Sequence, residues 1–411
     1  MDLSLLLHYH YVARNGGSTQ PVTSGAGAVL QLIRSGRAST RAEVATLTGW
    51  ARSTVAQRLD ALAARGLIHR VGELPSTGGR PATMLEFNAG VGVVLAAEVG
   101  ATHVRAAITD LTPTVLEDVT DEISATEGPE RVLSLVHKRF EELLHRAGRT
   151  AGDVFGIGVG VAAPVEFPAG RPINPPIMPG WHGFEVAAWF RERWRVPVLV
   201  DNEVNMMAVG EHATTWSDQD ELLCIKVSTG IGCGIISRGQ IHRGAHGGAG
   251  DIGHIRVLSH DDVGCHCGNI GCLEAVAGGQ AMAATLASEG IPANNSRDVV
   301  RLVDEGNREA MQLVRQGGRL LGEALASAVN LLGPSIIVIG GDIAQAEEQL
   351  FAGVRETIYP RSLPLATKHL RIVRSQLSDR AAVIGAAVTV IEHTLSPDSV
   401  DATLAELLSD G

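Results

Sequence analysis

Apolar residues follow a helical rhythm over the first part of the chain and a strand rhythm over most of the rest. In GAGAVLQLIRSG, Val29, Leu30 and Ile33 share one helical face, and Gly36 can close the helix. TRAEVATLTGW opens with Thr40 and Glu43 at capping-box spacing, which satisfies two amide donors at a helix start, and Gly49 breaks it. RSTVAQRLDALAARGL places Val55, Leu59, Leu62 and Ala63 on a buried stripe. Arg52, Ser53, Thr54, Gln57 and Arg58 are left off that stripe, at the helix N-terminus. Ala51 stands where a capping serine or threonine is usual. LIHRVGELPSTGGRPATMLEF then gives two short apolar runs around a Gly- and Pro-rich turn, a hairpin or wing with Arg80 at its tip.

Beyond residue 90, strand-like apolar runs alternate with amphipathic helices. GVVLAAEVGATHVRAAITDL predicts two strands turning at Gly100, and VFGIGVGVAAPVEF, VPVLVDNE, ELLCIKVSTGIGCGIIS and SIIVIGGDI add further buried strands. RVLSLVHKRFEELLHRAG and MQLVRQGGRLLGEALASAVNLL are helical between them, so the class is α/β with mixed sheets. The turns STGIGCG (228–234) and VIGGDI (338–343) have the glycine content that lets backbone amides approach a phosphate, though ordinary tight turns use glycine too.

Composition refines this picture at three points. A chain of 411 residues, 45% apolar and 19% charged, has ample material for a core and exceeds the usual size of one domain. No run of about 18 apolar residues appears, and the first residues lack a basic region and a cleavage site, so a soluble cytoplasmic protein with no membrane partner is expected. Five cysteines, an odd and small number, argue against an extracellular disulfide framework. Net charge is −11 but uneven: residues 1–90 hold nine arginines and five acids, hence +4, leaving −15 elsewhere. A basic segment on an acidic body suggests contact with a polyanion. Helix, glycine turn, helix with hydrogen-bonding side chains at its start, and wing form the pattern of a winged helix-turn-helix. Arg41, Arg52, Ser53, Thr54, Gln57, Arg58 and Arg80 are its candidate DNA contacts, with arginine suited to guanine. A three-helix interaction module with a solvated basic face is the alternative.

GCHCGNIGCLE concentrates candidate chemistry. Cys265, Cys267 and Cys272 offer three thiolates, and His254, His260 and His266 an imidazole, a set that suits a tetrahedral structural zinc site. Spacing alone does not choose the histidine, and a reduced cysteine cluster is the alternative. AHGGAGDIGHIRV followed by CHCGNIGCLEA resembles the signature of the ROK family (repressor, open reading frame, kinase), and its C-x-C-G-x-x-G-C-x-E zinc motif is matched without a gap. The resemblance implies a winged helix-turn-helix (23–88, after a tail, 1–22) followed by a two-lobed actin-like, ribonuclease-H-like sugar-kinase fold. One lobe would span 89–205, completed by a helix at 380–395; the second would span 206–379 with the zinc loop. Residues 396–411 are read as a tail forming a final turn or staying loose. The resemblance also makes His254 the fourth zinc ligand and places Asn202, Glu203, Asp251, His254 and Glu274 against a sugar.

Against the family's kinases, five positions depart. Glu98 stands for the aspartate of the phosphate loop and Ala101 for a glycine, Glu203 for the catalytic base, Asp251 for a glutamate, and Cys233 for a glycine. A carboxylate moved by about 1 Å can cost on the order of a hundredfold in rate, while binding tolerates the change better. The expected function is therefore a sugar-responsive transcriptional repressor without catalytic residues. It would act on a palindromic operator as a homodimer or homotetramer, sensing a sugar or sugar phosphate in a degenerate kinase cleft. An ATP-dependent sugar kinase is the alternative, and a scaffold binding neither DNA nor sugar a third reading.

Overall fold

The computed structural model describes residues 25–73 and 83–409; the expected tail (1–22) and Arg80 lie outside the described residues. The N-terminal unit is α1 (Ala26–Arg34), α2 (Arg41–Thr48), α3 (Arg52–Ala64) and an antiparallel hairpin of β1 (Ile68–Glu73) and β2 (Thr83–Phe87). The capping box is present: Thr40 accepts from the Glu43 amide at 3.2 Å, and the Glu43 carboxylate accepts from the Thr40 amide at 3.0 Å. Gly49 closes α2 in the left-handed region (φ 71), and α3 starts at Ala51 without a side-chain cap. The end of α1 falls at Ser35, with Gly36 (φ 65) just beyond it. Val55, Leu59 and Leu62 are buried as the periodicity predicts, but Ala63 is exposed. At about 100° per residue, Ala63 turns past the edge of the stripe that Leu62 occupies.

Two five-stranded sheets follow. The first contains β3 (Val93–Val99), β4 (His103–Thr109), β5 (Val115–Glu122), β6 (Val154–Val161) and β9 (Val198–Asn202), in the order β5-β4-β3-β6-β9. The small hairpin of β7 (Val165–Glu166) and β8 (Arg171–Pro172) interrupts it. The second contains β10 (Leu222–Val227), β11 (Ile231–Ser237), β12 (Gln240–Ile241), β13 (Ile336–Gly340) and β14 (Arg371–Arg374), in the order β12-β11-β10-β13-β14. In each sheet the first strand pairs antiparallel with the second and parallel with the fourth, so the two share one topology. This is the mixed-sheet α/β architecture expected from the sequence.

Helices cover the sheets: α4 (Pro129–Arg146), α5 (Val186–Trp194), α6 (Glu203–Thr214), α7 (Leu273–Ala277), α8 (Gly279–Ser288), α9 (Ser296–Asp304), α10 (Arg308–Leu332), α11 (Glu347–Arg361), α12 (Pro364–Thr367), α13 (Ala381–Thr394) and α14 (Pro397–Ser409). Against the first sheet lies α13, and α6, which sits between it and strands β10 and β11 of the second sheet, crosses it so closely that a Cβ on Gly385 would stand 1.7 Å from the Met206 carbonyl oxygen. On the second, α10 and α11 cross in the same manner, with Gly353 against the Arg315 carbonyl oxygen. Among the described residues no helix is long and apolar enough to cross a membrane.

The segment read as a tail or final turn is instead the helix α14, and it packs on α1. The first helix has Gly25 at its N-cap and no cap side chain of its own; the Asp401 carboxylate accepts from the Gly27 amide at 2.9 Å and serves that end. Arg34, buried at the other end of α1, pairs with Glu392 of α13 at 2.9 Å. The helix-turn-helix unit is thereby bound to α14 and to α13, the helix that covers the first sheet.

Candidate functional site

Between the sheets lies a cleft, and Asn202, Glu203, Asp251, His254 and Glu274 all line it. Its floor is the start of α6. Asn202 caps that helix, its Oδ1 accepting from the Val204 amide (2.8 Å) and the Asn205 amide (3.3 Å), while its Nδ2 donates to the Ala163 carbonyl (2.9 Å). Glu203 is the first residue of α6, so its carboxylate lies at the positive end of the helix dipole.

The facing wall is β11 and the loop that returns over it. Gly250 (φ 93) rests on the Cys233 carbonyl oxygen, at 1.8 Å from where its own Cβ would be, so no side chain fits there. That contact holds Asp251 and His254 against the strand. The Glu274 carboxylate, on α7, accepts from the Ile231 amide at 3.1 Å and fills the space beside Gly230. The sequence 228–234 is thus only partly the glycine turn its composition suggests: from Ile231 onward it is strand β11, with Cys233 buried in it.

Ligand atoms of His254, Cys265, Cys267 and Cys272 lie within 4.8 Å of one another. The His254 Nδ1 is 3.6 Å from Cys265 Sγ, and Cys267 and Cys272 sulfurs are 3.6 Å apart. Tetrahedral zinc with bonds of about 2.3 Å to sulfur needs donors at such spacing, so the set fits a metal ion. All five cysteines are free. Of the three candidate histidines, His254 joins the cluster, whereas His260 Nδ1 is 2.9 Å from Ser259 Oγ. The other ring nitrogen of His254 turns to the cleft, 3.9 Å from Asp251. Cys272 is the N-cap of α7, two residues before Glu274, which ties the cluster to the cleft wall.

The residue that sequence reasoning missed is Lys226. Its ammonium stands at the end of the cleft, 2.6 Å from Glu98 and 2.9 Å from Glu203. The three side chains are only 14%, 6% and 11% exposed, in the order Lys226, Glu98, Glu203. Burial pushes the Glu203 carboxyl up to about 7, with Lys226 opposing this incompletely. Burial acts the same way on Glu98, but the adjoining ammonium overrides it and holds that carboxyl below the ordinary range. Burial would lower Lys226; the two carboxylates outweigh it and raise its pKa. The signal was present in the sequence: the chain has three lysines, and one falls inside the apolar run LLCIKV. A buried ammonium requires a partner.

Lys226 also lines a second cavity that adjoins the cleft and is bordered by Glu98, Arg105, Arg297, Gly340, Gly341 and Asp342. The Gly340–Gly341 turn anticipated from VIGGDI therefore faces this second space. Asp342 accepts from Ser228 (2.5 Å) and Ser296 (2.6 Å). Ala101, another of the departures, lines the cleft with the turn after β3.

On the N-terminal unit, Arg52, Ser53 and Gln57 are exposed along α3, and Thr54 and Arg58 are half-buried. Arg41 is exposed on α2, 3.2 Å from Asp60.

The sequence matches the ROK family over residues 94–393 and the IclR helix-turn-helix domain over residues 26–72. A protein named putative xylose repressor from Caldicellulosiruptor sp. (strain Rt8B.4) is 31% identical over 387 residues, 90% of this chain and 96% of that one. A glucokinase from Halalkalibacterium halodurans is 28% identical and covers 70% of this chain and 92% of its own length. A crystal structure described as a ROK family transcriptional regulator, homolog of the E. coli MLC protein, superposes with a TM-score of 0.77 at 26% identity, covering 97% of this chain and 100% of that one. With the doubled sheet topology, the Cys3His cluster and these matches in hand, the chain belongs to the ROK family and carries a helix-turn-helix domain at its N-terminal side.

Proposed function

We propose that this chain is a sugar-responsive transcriptional repressor of carbohydrate uptake or metabolism genes. The observation that carries the reading is a continuous packed route: Glu203 starts α6, α6 crosses α13, and α13 and α14 hold α1 of the helix-turn-helix through Glu392 and Asp401. A ligand that prefers one arrangement of the two sheets thereby prefers one placement of the DNA-binding unit. The similarity to a named xylose repressor along almost the whole chain supports the same assignment.

In this reading Asn202, Glu203, Asp251, His254 and Glu274 bind the hydroxyls of a sugar or sugar phosphate. Acceptors in a partly buried cleft discriminate well, because a missing hydroxyl leaves a partner unpaired. Zinc held by His254, Cys265, Cys267 and Cys272 is structural, since four protein ligands leave no place for water, and it fixes the positions of His254 and Glu274. Arg41, Arg52, Ser53, Thr54, Gln57, Arg58 and Arg80 contact a palindromic operator, two chains reading two half-sites as a homodimer or within a homotetramer. Glu203 has no catalytic role: at the position of the kinase base it is tied to Lys226 at 2.9 Å.

A mobility-shift assay on the chain's own upstream DNA, repeated with D-xylose, D-glucose, N-acetylglucosamine and their phosphates, tests the reading. A shift that one of these ligands alters is expected. Sugar-dependent release of ADP from ATP by pure protein would instead establish the kinase alternative.

A further inference from the structure

The proposed sensor leaves open whether the effector carries a phosphate, and the charges around the cleft decide between the two. Glu203, Asp251 and Glu274 line it, with Glu98 immediately behind. Among the described residues no arginine lines it, and Lys226 is its one lysine. That ammonium already donates to Glu98 and is ion-paired with Glu203. Of the two lining histidines, His254 presents Nδ1 to Cys265, and His103 is held neutral chiefly by its burial. The arginines of the adjoining cavity are paired as well: Arg105 with Asp118 and Asp379, Arg297 with Glu122, Arg374 with Glu347. The second and third amides of α6, those of Val204 and Asn205, are taken by the Asn202 side chain.

We propose, building on the sensor reading, that the cleft takes an unphosphorylated sugar, and that Lys226 sets this specificity by pairing internally with Glu98 and Glu203. A phosphate dianion entering here meets carboxylates and finds the Lys226 ammonium already neutralised, with each like-charge approach unfavourable in a partly dry site. Uncharged hydroxyls meet the same carboxylates as hydrogen-bond acceptors. Lys226 is a positioning residue: it holds the Glu203 carboxylate at the cleft wall and closes the passage between the two cavities, both of which it lines.

Calorimetric titration of the full zinc-loaded chain separates these claims. The probes are D-xylose, D-glucose, N-acetylglucosamine, glucose 6-phosphate, N-acetylglucosamine 6-phosphate and inorganic phosphate. An uncharged sugar is expected to bind at least tenfold more tightly than its phosphate. A phosphate that binds as well as its parent sugar overturns the inference while leaving the sensor reading in place. Inorganic phosphate then tests Lys226 without knowledge of the sugar. Glu98→Gln, which keeps shape and releases half of the lysine's pairing, is expected to bind it at least tenfold more tightly than the wild-type chain. Glu203→Gln supplies the same test should the first variant fold poorly. Equal phosphate affinity in folded variants and wild type removes Lys226 from the role. Failure of every sugar to bind, with the phosphate gain intact, sinks the sensor reading and the sugar preference with it, and leaves only the exclusion of phosphate by the paired Lys226.

Discussion

Glu98 and Lys226 occupy the same place in two copies of one topology. Each is the penultimate residue of the first strand of its sheet, EV before Gly100 in one and KV before Ser228 in the other, and the two meet at 2.6 Å. Around this pair the sheets diverge. The first is covered by α13 and so reaches the helix-turn-helix; the second carries the cysteine loop and α7, which shape the opposite wall of the cleft, while α6 lies between α13 and strands β10 and β11 and touches both sheets. Equal topology with opposite charge at one position gives two halves that attract at their centre, while their outer elements do different work. A buried ion pair of this kind is weak evidence for stability but strong evidence for a specified arrangement, since removing one partner strands the other.

The largest effect should come from breaking that centre. Lys226→Met leaves two facing buried carboxylates and is expected to lower unfolding free energy by about 3–5 kcal/mol in urea titration. Adding Glu98→Gln should recover part of the loss, and a double-mutant cycle showing simple additivity would mean the two sheets are not coupled through this contact.

Next come the paired helix crossings. Gly385→Ala on the first sheet and Gly353→Ala on the second both drive a methyl into a backbone carbonyl, and each is expected to cost about 1–3 kcal/mol. Only the first should also weaken operator binding in a mobility-shift assay, because only that crossing continues to α1. Equal loss of DNA binding in both would erase the distinction between the halves. Cys267→Ser acts on the other side alone: bound zinc, measured by metal analysis, should fall to background and sugar affinity should drop, while the helix-turn-helix keeps its melting behaviour.

The smallest expected effect is Asp401→Ala, about 1 kcal/mol, typical of a lost helix cap. Hydrogen exchange should show it as faster opening of α1 with the sheets unaffected. The pH dependence offers a further check with a definite sign. With its folded pKa raised to about 7 from 4.5, Glu203 binds a proton more readily folded than unfolded, so its contribution is full below about 4.5 and is lost as pH rises through 7. Glu203→Gln should remove that slope from the stability profile.

Much of this was legible in local sequence. The strands on either side of Gly100 and the capping box at Thr40 follow from periodicity and short-range hydrogen bonds. The cysteine cluster was legible because its ligands fall in one loop, and His254 came from family resemblance. What escaped depends on contacts between distant segments. Lys226 gains meaning only when β10 is brought against β3 and the start of α6. The segment after Pro397 read as a tail because its partner, α1, lies at the other end of the sequence. The phosphate-loop reading of 228–234 overextended for a related reason: Gly230 gives room for the Glu274 side chain, and Gly232 and Gly234 for Val204 and Ala208 of α6, as much as for a turn.

The bond from Gly27 to Asp401 joins residues 374 positions apart. During synthesis the reader head emerges from the ribosome first, yet the carboxylate that finishes its opening helix is among the late arrivals. A nascent chain therefore completes the first turn of its opening helix only after the two-sheet body has been made, which ties the finished N-terminal unit to the completion of everything that follows it.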